Sequence, residues 1–182
     1  MKTIVLCGRQ GDNAVAQTLL PALGRYGSVC YMSETKIAGQ GNVGKHEFCV
    51  LDCQQLPQIE LPQVILLFKN SFCLSGRTAQ LPEGIPAVFG SHNVRAAEQL
   101  KGSKAAAIVC GTSSKDTLSV ASLTESSASA SLQRSLHTLL GEVIEPRDIP
   151  VELSGQTGPY SFLATCAVLL LAGVEPEPGY QF

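Results

Sequence analysis

The sequence has 182 residues, of which 45% are hydrophobic and 15% charged, a balance that excludes a disordered chain and is long enough for one buried core. A net charge of −2, no Trp and only 5% aromatics leave neither a basic field nor a stacking surface, so nucleic acid is excluded as a partner. The seven cysteines are odd in number and sit mostly inside apolar runs, so they read as reduced, buried thiols. Cys49 and Cys53 lack the second pair that a structural zinc site needs, and no metal site is expected.

In chain order, residues 3–7 form a short apolar run, a buried strand. Gly8-Arg9-Gln10-Gly11-Asp12-Asn13 is a glycine-rich turn in which Asp12 or Asn13 can cap the next helix. Ala14, Val15, Leu19, Leu20 and Leu23 recur at helical spacing up to Gly24, with Pro21 expected to bend or shorten the helix. Strands are predicted at 28–32, 48–53, 64–68, 87–90 and 105–110, with a helix at 94–100; residues 36–44 and 71–84 read as loops.

From about residue 117 the pattern becomes Ser-rich and alternates polar with apolar through 153, the signature of an antiparallel β-meander with one solvated face. A disordered linker is the competing reading, and the alternation of Leu132, Arg134, Leu136 and Thr138 favours strand. Residues 160–172 form an apolar helix stopped at Gly173, and the two prolines of the 175–182 tail predict an extended end. The fold class is therefore α/β: one domain over 1–182, a three-layer, mostly parallel sheet flanked by helices in a P-loop or Rossmann-like arrangement, with the antiparallel meander at 117–153. The opening apolar run is too short for a signal-peptide core, and the run at 162–174 is shorter than the ~20 residues of a membrane span, so a cytoplasmic protein without membrane contact is expected.

Three stretches, in this order, resemble the central ATP-binding domain of the Mur ligases, which join amino acids to cell-wall precursors and share that domain with folylpolyglutamate synthases. The first is the strand, the Gly8–Asn13 turn and the helix: both glycines of the family's phosphate loop are present, but Asp12 stands at its Lys position and Asn13 at its Thr/Ser position. The second has Asp52 where the family has a metal-linked Glu, and Lys69-Asn70 keeps the family's Asn, while its Asp-His pair and downstream modified Lys have no counterpart. The third carries Phe89, the His92-Asn93 helix start, Gly111, Gly141-Glu142, Leu153-Ser154-Gly155 and the Ala172-Gly173-Val174 helix end; the family's His-Asn pair is replaced by Thr157-Gly158 and its second Asn by Ser161. The resemblance implies a central domain without the flanking domains that recognise precursor and amino acid, from a bacterium and tied to cell-wall precursor metabolism.

A phosphate loop works through backbone amides, a Lys on the β- and γ-phosphates and a hydroxyl on Mg²⁺. Asp12 places negative charge where positive is needed. Arg9 and the helix N-terminus leave weak nucleotide or phosphate binding open, without any firm cofactor. The candidate ligand loop is thus Gly8, Arg9, Gln10, Gly11, Asp12 and Asn13, with Asp52 and Asn70 as secondary candidates; no catalytic residue is assigned. A dinucleotide fingerprint fails, since its first Gly would fall on Leu6.

His92 is explained by helix capping through Ser91 or Asn93, and His137 by solvation between Leu136 and Thr138. Three readings stand open. The first is a non-catalytic Mur-ligase-like remnant binding a protein partner or a small anionic ligand. The second is an active nucleotide- or anion-binding enzyme that uses the altered loop. The third is a structural subunit whose sheet edge or meander pairs with another chain, with a homo-oligomer as one form.

Overall fold

The computed structural model describes residues 1–40, 46–73 and 80–182. Strand β1 (Lys2–Cys7) is buried from Thr3 onward, the mark of a strand covered on both faces. After the glycine turn, helix α1 (Ala14–Tyr26) turns Val15, Ala16, Leu19, Ala22 and Leu23 inward. Pro21 lies inside this helix, which nevertheless runs two residues past Gly24 to Tyr26. Asn13 makes no side-chain cap; the α1 start is met instead by Asp12, whose Oδ1 accepts from the Ala14 amide at 3.4 Å.

Next come strands β2 (Gly27–Ser33), β3 (Ile37–Gln40), β4 (His46–Cys53), β5 (Val64–Phe68) and β6 (Pro86–Gly90). Helix α2 (Val94–Leu100) lies where periodicity places it, and β7 (Ala106–Gly111) completes the alternating part. Strands β2, β4, β1, β5, β6 and β7 run parallel in that spatial order, and β8 (Leu118–Leu123) joins them in parallel.

Beyond β8 the sheet turns antiparallel through β9 (Ser127–Leu132) and β12 (Arg147–Glu152). The expected meander is therefore present, and the Ser-rich stretch is ordered strand. It has one interruption: the 132–138 alternation breaks after Leu132, and β10 (Leu136–His137) with β11 (Val143–Ile144) forms a separate two-stranded ribbon. Helix α3 (Pro159–Leu171) and β13 (Tyr180–Gln181) end the chain, β13 pairing in parallel with β12. The eleven-stranded order among the described residues is β13-β12-β9-β8-β7-β6-β5-β1-β4-β2-β3.

Two expectations are corrected. The 36–44 stretch contains edge strand β3, antiparallel to β2; Gln40 anchors it by donating to the Leu20 carbonyl of α1 at 2.7 Å, a long-range bond that local sequence does not display. Residues 41–44 of that expected loop lie outside the described residues, as do 74–79 of the loop expected at 71–84. The tail, expected merely extended, re-enters the sheet through β13.

The two faces of the sheet form two cores. One is built from Ile4, Leu6, Phe48, Val50, Ile65 and Leu67 under α1 and α3. The other has Val5, Leu66, Phe68, Ala87 and Phe89 beside Ala96 of α2. Together they make three layers. Helix α3 is buried along 161–171 and so is apolar all round. It ends in a Schellman turn: Gly173, at φ +67°, donates to Leu170 O at 2.9 Å, and Val174 donates to Leu169 O at 3.0 Å.

All seven cysteines are free thiols. Cys7, Cys49, Cys110 and Cys166 are buried; burial raises the Cys49 thiol and pushes the other three far above their ordinary range, while Cys30 and Cys73 are exposed. With an aromatic disulfide reagent at pH 8, Cys30 and Cys73 are expected to react in the native protein and the four buried thiols only after denaturation. Fast titration of all seven in the native protein, followed by absorbance, would contradict this packing.

Candidate functional site

The Gly8–Asn13 turn sits at the carboxyl end of β1, where open α/β sheets place their ligands. Its geometry is set by the neighbouring ends of β4 and β5. Gly8 donates to Cys53 O at 3.1 Å, and Lys69, the residue after β5, donates its amide to Cys7 O at 2.8 Å. Gly8 has φ +154°, and a Cβ there would lie 2.7 Å from Lys69 Cβ. This glycine is required by a side chain crossing the base of the turn. Gly11 is exposed and a Cβ there would meet nothing within 4 Å, so its glycine has no packing cause.

Lys69 is fully buried, and its Nζ lies 2.6 Å from Asp52 Oδ1 at the end of β4 and 3.4 Å from the Arg9 carbonyl. The other Asp52 oxygen accepts from the Tyr31 hydroxyl at 3.0 Å. Burial first, then the Asp52 charge, pushes the Tyr31 phenol above its ordinary range. Asp52, a candidate metal ligand by its position, thus has both oxygens engaged by protein groups, and a Mg²⁺ ion there would have to displace a lysine.

The Asp12 carboxylate turns inward. Its Oδ2 accepts from the Ser71 amide at 3.3 Å and its Oδ1 from Ala14, while Ser71 Oγ accepts from the Arg9 amide at 3.0 Å. The Asp12 amide itself donates to Arg9 O at 3.0 Å. An internal carboxylate therefore occupies the start of α1, where backbone amides would otherwise attract a phosphate. Arg9, Gln10, Gly11 and Asn13 are exposed, and the amides of Gln10, Gly11 and Asn13 have no protein partner among the described residues.

Asn70 faces elsewhere. It lines a cavity of about 300 Å³ at the carboxyl ends of β5, β6 and β7, capped by the start of α3. Cys110, Pro159, Tyr160 and Leu163 give it an apolar wall, and Ser91, His92 and Thr112 stand on its polar side. Among the described residues, Asn70, Ser91, His92 and Thr112 have no side-chain hydrogen bond. Tyr160 is held by donation to the Phe68 carbonyl, and burial raises its phenol well above the ordinary range. Gly90 and Gly111 keep the cavity open: a Cβ at Gly90 would press Asn70 and Tyr160, and one at Gly111 would collide with Asp116 and Ser91.

Asn93 ties this region together. It caps α2 by accepting from Ala96 N at 3.0 Å and donates to Lys69 O at 2.9 Å. Asn93→Ala is expected to lower stability by about 1–3 kcal/mol, because the Ala96 amide loses its cap and the Lys69 carbonyl keeps the Phe72 amide but loses a second, buried donor. A urea unfolding midpoint unchanged by this substitution would show that the bonds contribute nothing.

Lys69, Ser71, Ser91, Thr112 and Tyr160 escaped sequence reasoning. The available signal was positional: Lys69 ends the wholly apolar run of β5, and the others come just after strand ends or open a helix. The His92 and His137 side chains have no hydrogen-bond partner among the described residues, so neither imidazole has the carboxylate that a catalytic triad supplies.

No family model and no curated protein matches the sequence. Solved structures do. A murein peptide ligase from Psychrobacter arcticus superposes with a TM-score of 0.56 at 10% identity, covering 94% of this chain and 44% of the ligase. A UDP-N-acetylmuramoyl-L-alanyl-D-glutamate–2,6-diaminopimelate ligase gives 0.57 at 10% identity, covering 97% and 44%. The fold is that of the Mur ligases. The chain spans less than half the length of those ligases, and the likeness extends to the fold alone. In this Mur-ligase-like fold the Asp12 carboxylate stands at the start of α1, and Asp52 is paired with Lys69. No helix among the described residues is long and apolar enough to cross a membrane.

Proposed function

We infer that this chain is a non-catalytic, Mur-ligase-like binding module that carries out no ATP-driven ligation. One observation supports the reading above all: the loop has closed on itself, with the Asp12 carboxylate on the Ser71 and Ala14 amides and the Lys69 stem packed under Gly8. An incoming phosphate would meet like charge and partly committed donors. The ligand surface that remains is the strand-end cavity, whose rim of Asn70, Ser91, His92 and Thr112 is unpaired over an apolar wall. Its biological setting, cell-wall precursor metabolism in a bacterial cytoplasm, is carried only by likeness to ligases of that chemistry.

A second reading has its own support. Arg9 and the free amides of Gln10, Gly11 and Asn13 retain weak anion affinity, enough for a small phosphate ligand.

Thermal unfolding separates the two. Millimolar Mg²⁺-ATP, Mg²⁺-ADP and inorganic phosphate are expected to leave Tm within a degree of its free value. A ligand at 100 times its Kd would add about 2.7 kcal/mol and raise Tm by a few degrees. A Mg²⁺-dependent rise with ATP would refute the non-catalytic reading, and a rise with phosphate alone would establish the second.

A further inference from the structure

At the opposite end of the sheet from the loop, a cleft of about 460 Å³ opens between the amino-terminal ends of β5, β6 and β7 and the β10 ribbon. Its floor is apolar, with Val64, Ile85 and Leu136 buried, and Leu61 stands on its lip 60% exposed. The charged groups around it are unevenly matched. Glu83 is held by Lys104 at 2.9 Å, and Glu145, the residue after β11, accepts from Ser135 Oγ at 3.0 Å. Arg134 and His137, both exposed and both lining the cleft, have no ion-pair or hydrogen-bond partner among the described residues.

Gln63, also on the lining, is held at φ +56°, the one non-glycine residue with positive φ among those described. L side chains enter this region at a cost and usually leave it to Gly or Asn, and such strain concentrates at binding sites. The size falls in the range that holds a small molecule.

We propose that this cleft binds a small carboxylic acid with an apolar tail: the carboxylate on the Arg134 guanidinium beside His137, the tail over Val64, Ile85 and Leu136. A guanidinium matches a carboxylate in a two-bond fork. The apolar floor gives a hydrocarbon tail burial that a compact hydrated anion cannot use. The site is separate from the loop and does not depend on how the loop is read.

The test is titration of the whole protein with octanoate below its micelle-forming concentration, followed by amide chemical shifts. Saturable shifts at Val64, Ile85 and Leu136 are expected. Affinity should fall at least about tenfold in Arg134→Gln, with partial recovery in Arg134→Lys, and octanamide should bind at least about tenfold more weakly than octanoate. Because Arg134 is exposed, Arg134→Gln is expected to unfold at the same urea concentration as the parent. No saturable binding at millimolar octanoate, or equal affinity in Arg134→Gln, overturns the proposal. Inorganic phosphate binding as tightly as octanoate overturns the assignment of an apolar-tailed ligand.

Discussion

Lys69→Met is expected to destabilise the protein by about 3–5 kcal/mol, a large share of the 5–15 kcal/mol typical of a domain. Lys69 and Asp52 form an ion pair at 2.6 Å with side-chain exposures of 0% and 4%, so solvent cannot take over the role of either partner. Methionine fills the aliphatic volume but leaves the Asp52 carboxylate with Tyr31 as its one remaining hydrogen-bond partner among the described residues. The cost is that of stranding a charge, not the net worth of the pair, and a double substitution tells them apart. Lys69→Met combined with Asp52→Asn removes both charges and should recover a large part of the loss. Urea unfolding at constant m value measures it. A single-mutant loss under about 1 kcal/mol would mean that the pair is wet and exposed, as surface pairs are.

The second large effect separates two glycines that look equivalent in the sequence. Gly8→Ala is expected to lose about 2–5 kcal/mol, since alanine at φ +154° is strained and its Cβ would press Lys69 Cβ and Ser71 Oγ. Gly11→Ala, with open space around the new methyl, should fall within about 0.5 kcal/mol of the parent or gain slightly from a stiffer unfolded chain. Equal losses at both positions would show that the loop needs glycine for phosphate-loop geometry and not for the packing of Lys69 beneath it. Because the Lys69 Cβ is common to every longer side chain, Lys69→Met does not relieve the Gly8 clash, and the two effects are expected to add to the extent that they act on different atoms.

Much of the fold was legible locally. Strands β1 and β5 are unbroken apolar runs because both faces of the sheet are covered, and α2 begins and ends where its periodicity does. The meander was legible because one of its faces is solvated, so its residues alternate. Strand β3 was not, because its short Ile-Ala-Gly-Gln segment is largely exposed, so apolar burial leaves no pattern in it, and it is held by pairing to the preceding strand β2 and by Gln40 on the α1 carbonyl of Leu20. The 132–138 alternation misled because one break in a ladder, after Leu132, diverts a strand without changing which residues are apolar.

The candidate loop divides in the same way. Its glycines and the acidic Asp12 were readable one residue at a time, because charge and side-chain chemistry belong to the residue. The direction of Asp12, the burial of Lys69 against Asp52 and the assembly of Asn70 with Ser91, Thr112 and Tyr160 were not. These groups lie on separate strand ends, up to 90 residues apart between Asn70 and Tyr160, and only the parallel stacking of β4, β1, β5, β6 and β7 brings them together. The sequence by itself determined the layer architecture, through the periodicity of apolar burial. The tertiary structure alone decided that the loop is closed by its own side chains, because a carboxylate's partner is set by which backbone amides surround it in space.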